Sequence, residues 1–186
     1  RKRQTIDRAK DPAGFSAERE KITEQLRQER ADRVISDADE AIKAEVSRVL
    51  RPLSKEAGYH VLPSDWASRR PTWESVAQAA VEQVKQRSGV TMPLPTVTVR
   101  SGEWLTVRDL RELPGIGMAT VRIGTRNVAV AQKAVEVREL TGVKDAQLAE
   151  VPLQVGVPFV EMPVQDGSGN RYYFTVLDSR LESSAG

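Results

Sequence analysis

Cysteine is absent from the 186 residues, and there is a single histidine, His60. The first absence excludes disulfides, thiolate zinc sites and cysteine nucleophiles. The second leaves no pair of imidazoles for a metal, and a lone histidine without convergent partners reads as a structural or surface residue. No apolar run approaches the roughly 18 residues of a membrane-spanning helix, and no signal peptide is recognisable. No G-x-S-x-G elbow is present, and no nucleophile–base pair stands out. No metal and no cofactor is therefore expected, and no internal repeat is visible.

A strong excess of charge of one sign is also lacking. The net charge is +2 with a pI near 9.0, too mild to imply nucleic acid. Its clearest cluster is Arg1, Lys2, Arg3, Arg8 and Lys10. Residues 1–14 lack any period and end in Asp11-Pro12-Ala13-Gly14, so they are read as a flexible basic segment. The chain opens on Arg1 rather than Met. We therefore expect a piece of a longer protein, in which a removed signal or anchor would not show.

What is present is a long helical pattern. Over residues 16–53, apolar residues fall at Ile22, Leu26, Val34, Ile35, Ala38, Ile42, Val46, Val49 and Leu53. Steps of three and four place most of them on one helical face. Ser16 is the expected N-cap, and Pro52 ends the helix near Arg51. The stripe is denser from Val34 to Leu53, so that half is expected to dock. The Ile22–Leu26 end is expected to project or to meet a partner. Residues 15–57 thus form a helical arm.

Residues 58–180 read as a small α+β body, and 181–186 as a disordered tail. Thr72 caps a second amphipathic helix that carries Trp73, Val76, Ala77, Ala80 and Val84 and ends at Ser88-Gly89. Residues 96–100 (TVTVR) alternate like a short strand. Thr106 and Asp109 have capping-box spacing. A further helix is expected over 127–140 with Gly142 behind it, and a small one over 145–149. Residues 151–164 contain three prolines and read as edge or loop structure. Residues 160–164 and 172–176 are expected to pair as a β-hairpin around the turn 165–170. The fold class is therefore α+β, with a long N-terminal amphipathic helix packed on a small mixed helical and β-hairpin body.

Two resemblances bear on function. Residues 109–121 (DLRELPGIGMATV) resemble the hairpin of helix-hairpin-helix DNA-binding modules, with a Leu-Pro-Gly-Ile-Gly turn between two helices. Glycines there let backbone N–H groups approach a phosphate. Carried over, the phosphate site within residues 109–123 consists of Gly115 and Gly117, with Arg122 and Arg126 beside them. Gly124-Thr125 interrupts the second helix of that pattern.

The second resemblance covers more of the chain. Residues 18–46 (EREKITEQLRQERADRVISDADEAIKAEV) are similar to the long charged helix of the periplasmic parvulin-type chaperones and peptidyl-prolyl isomerases, the SurA- and PpiD-like proteins. Residues 153–180 (LQVGVPFVEMPVQDGSGNRYYFTVLDSR) are similar to the closing strand of their parvulin module. The isomerase site of that family needs paired histidines with Cys or Asp, so it is not carried over to a chain with one His and no Cys. The resemblance implies a non-catalytic, chaperone-like module in the periplasm or cell envelope that holds unfolded or extended polypeptide by apolar contacts. Ile22 and Leu26 on the arm, with Tyr59 and Trp66 near its far end, are the expected contact residues. Self-association of the long helix with another copy is the structural alternative.

Overall fold

A computed structural model describes residues 11–56, 58–135 and 153–179. The expectations for residues 1–10, 136–140, 142, 145–149, 151–152 and 181–186 lie outside the described residues.

The long helix, α1, spans Pro12–Leu50, and 39 residues at 1.5 Å each make it roughly 60 Å long. Its N-cap lies five residues earlier than the expected Ser16. Asp11 is the N-cap, its carboxylate accepting from the Gly14 N–H at 2.8 Å, and Pro12 occupies the first turn. Asp-Pro is a helix start as well as a loop sign, because proline has no N–H to leave unpaired at that position. Arg51 caps the other end, as Pro52 requires.

The hairpin of β1 (Lys55–Glu56) and β2 (Tyr59–His60) follows, then α2 (Trp66–Arg69) and α3 (Trp73–Ser88). Thr72 caps α3 by accepting from the Ser75 N–H at 3.2 Å, and Gly89 closes it in the left-handed conformation at φ +66°. Ala41 and Val46 of α1 are buried in one cluster with Val76 and Ala80 of α3, and Ala77 and Val84 are buried on the same helix as the latter pair. Arg87 on α3 reaches back to Glu40 on α1 at 2.8 Å.

Helix α4 (Val107–Glu112) carries the Thr106/Asp109 capping box in full. After a 3-10 turn over Ile116–Met118 come β3 (Thr120–Ile123), β4 (Arg126–Ala129) and α5 (Val130–Lys133). β5 (Phe159–Gln165) and β6 (Arg171–Phe174) complete an antiparallel sheet in the order β4-β3-β5-β6.

Three expectations are corrected by this sheet. Residues 127–129 belong to a strand and not to a helix, because Gly124 at φ +57° allows a two-residue turn that folds β4 onto β3. The apolar spacing at Val128 serves a sheet face equally well. Residues 159–165 form an interior strand rather than an edge. Proline is tolerated there because Pro163 lies in an irregular interval, between the pairs Phe159↔Phe174 and Val164↔Tyr172. Residues 96–100 join no sheet.

The β5–β6 hairpin forms as its alternation requires. Tyr173 packs toward α1 and α3, and the Trp73 indole donates to Thr175 Oγ1 at 3.1 Å. Tyr172, Phe174 and Val176 face a second cluster, built on Val121, Val130, Leu153, Phe159 and Val164. The sheet thus lies between the helix pair and the α4–α5 side of the body. Asp166 organises its turn. Hydrogen bonds from the Asn170 side chain and the Tyr172 hydroxyl hold its carboxyl at about 2, well below the carboxylate range.

Candidate binding surface

α1 is covered unevenly. Its four buried residues, Ala41, Ile42, Val46 and Leu50, all lie in the C-terminal part. From residue 16 to residue 33 every residue is exposed. Ile22 is 47% and Leu26 60% exposed, so the half expected to project does leave the body. The two apolar sets also face different ways. At 3.6 residues per turn, Ile22 and Leu26 lie within roughly 40° of each other, and the buried stripe is centred roughly 160° away. The distal patch therefore points away from the face that the body occupies.

Where the arm leaves the body there is an open cleft of about 360 Å³, lined by Arg27, Arg30, Ala31 and Val34 of α1 and by Val90–Pro93 after α3. Its walls are apolar, with the two arginines on the arm side. Arg27 is engaged only loosely by Glu24, at 3.6 Å with both side chains largely exposed. The Val34 end of the cleft was legible in the apolar stripe. Met92 and Pro93 read only as a chain break, and nothing in their spacing marked them as a wall.

Tyr59 and Trp66 do not belong to this surface. Tyr59 is 4% and Trp66 6% exposed. Trp66 packs with Ile42, Leu50 and Val160, and its indole N–H donates to the Gly156 carbonyl at 2.8 Å. A tryptophan in a connection serves a core as readily as a surface, and here the core takes it. The expected contact set is thus reduced to Ile22 and Leu26.

The LPGIG segment also has an internal explanation. Gly115 (φ +74°) sits where a Cβ would come within 2.6 Å of Tyr172 Oη. Gly117 is buried against the carbonyls of Leu110 and Arg111. Both glycines are needed to pack the turn on its own surroundings. The second helix of a helix-hairpin-helix is replaced by β3, since residues 120–123 are extended and paired with β4. Arg122 and Arg126 are exposed on the β3–β4 hairpin, Arg122 donating to the Gly124 carbonyl at 3.4 Å.

His60 lines a small cavity of about 30 Å³ with Lys55, Leu153, Gln154 and Glu161, room for one water. Its Nδ1 is buried and has no hydrogen-bond partner among the described residues. Burial lowers its pKa below the ordinary 6.5, as does Lys55, while Glu161 opposes them.

Among the described residues no cluster of His, Asp or Glu is placed to hold a metal ion. Among the described residues no helix is long and apolar enough to cross a membrane. Comparison with known protein families, with curated proteins and with solved structures finds no match to this chain.

Proposed function

We propose that this chain is a non-catalytic, chaperone-like protein-binding module of the parvulin-type kind, working in the periplasm or cell envelope. Its ligand is unfolded or extended polypeptide. The observation that carries the reading is exposed apolar surface in two places, the open cleft at the root of the arm and the Ile22–Leu26 patch on another face of the bare half-helix. Such a surface takes extended apolar segments without demanding a sequence. The two arginines on its rim favour clients that carry carboxylates beside their apolar residues.

The test is a titration with a fluorescent, permanently unfolded polypeptide, comparing the native chain with Met92→Asp. Placing a carboxylate on the apolar wall is expected to weaken binding by about tenfold, the equivalent of roughly 1.4 kcal/mol. Equal affinity of the two proteins, or no binding by either, contradicts the proposal. Salt-dependent binding to a DNA fragment without client binding selects nucleic-acid binding instead.

A further inference from the structure

Between α3 and α4 the chain runs extended, and residues 96–100 (TVTVR) have every sequence property of a strand but no sheet. Among the described residues no backbone–backbone hydrogen bond is made by residues 91–103. Val97 is half-buried while Val99 is 60% exposed. Pro95 bounds the segment on one side, and Gly102 at φ +79° on the other. A β-branched run with free N–H and C=O groups is a template for another strand.

We propose that residues 96–100 pair antiparallel with the same segment of a second copy of this chain, about a two-fold axis at Thr98. The sequence is self-complementary in that register. Thr98 faces Thr98, Val97 of each copy faces Val99 of the other, and Thr96 faces Arg100. Threonine and β-branched pairs directly opposite each other are favourable, and no like charges meet. Parallel pairing in the same register sets Arg100 against Arg100. The two-fold pairing also covers the exposed Val99 with the mate's Val97, and a closed two-fold interface uses the same patch on both subunits. The pairing involves neither the arm nor its cleft, so it stands or falls apart from the function proposed above.

The test is sedimentation of the full chain over a wide concentration range, beside Thr98→Pro and Thr98→Cys. The native chain is expected to dimerise. Thr98→Pro fixes φ near −65° at the centre of the paired run, sets the ring against the mate strand, and weakens the dimer about tenfold or more. Because the chain has no cysteine of its own, Thr98→Cys is expected to form a disulfide-linked dimer on mild oxidation, and Leu26→Cys is not. If Thr98→Pro fails to fold, the cysteine pair decides alone. A native mass that stays monomeric at every concentration overturns the proposal, including the case in which the monomer captures a foreign strand. Cross-linking at Leu26 but not at Thr98 also overturns it.

Discussion

Gln154 satisfies both backbone hydrogen-bonding groups of His60. Its amide oxygen accepts from the His60 N–H at 3.0 Å, and its amide nitrogen donates to the His60 carbonyl at 2.7 Å. One side chain from the segment before β5 thereby fixes β2, more than ninety residues earlier in the chain. Gln154→Ala leaves two partly buried backbone groups unpaired, an expected loss of about 1–3 kcal/mol. Denaturant unfolding measures it, and an unchanged midpoint contradicts the assignment.

The ring of His60 makes stability pH-dependent. Its folded pKa lies below the ordinary 6.5 because burial disfavours the imidazolium. The folded state therefore prefers the neutral form. The stabilisation is full above about 6.5 and is lost as pH falls through the lower folded value, where protonation favours unfolding. Melting temperature should decline on acidification in that window, and His60→Gln should flatten the decline.

Gly115 should tolerate no side chain. Gly115→Ala adds strain at φ +74° and a Cβ pressed on Tyr172, at a cost of about 1–3 kcal/mol. The loss should appear in thermal unfolding with no nucleic acid present. A variant as stable as the native chain would reopen the phosphate-binding reading of this turn.

The two halves of α1 should respond differently to truncation. Ile42 is 6% exposed in the cluster shared with Trp66 and Val76, and Ile42→Ala should destabilise by about 2–5 kcal/mol. Ile22→Ala, on the bare half, should stay within about 0.5 kcal/mol. Paired chemical denaturation compares them, and equal losses would mean that the distal half is covered.

Much of the fold was legible because periodicity reports burial directly. Thr72 and Gly89, the Thr106/Asp109 box and the alternation of Tyr172, Tyr173 and Phe174 each carried their own physical signal. So did the division of α1, where the stripe thins on the N-terminal side of Val34. Other features depended on partners far along the chain. Val128 lies equally well on a helix or a strand until Val121 is known to face it. Pro163 looks incompatible with an interior strand until the irregular register around it is seen. Tyr59 and Trp66 are apolar residues in a connection, and only Gly156 and the helix stripe make Trp66 core. The candidate cleft was the least legible part, since it joins residues 27–34 to residues 90–93 through the turn after α3.

The most direct test of the binding account removes the bare patch on the arm. Affinity for a fluorescent unfolded polypeptide should be measured for the native chain and for the Ile22→Ser/Leu26→Ser double variant, with melting temperatures alongside. Affinity is expected to weaken about tenfold, from the loss of roughly 1.4 kcal/mol of apolar contact, with melting temperature unchanged. Unaltered affinity in a variant that melts like the native chain would contradict it.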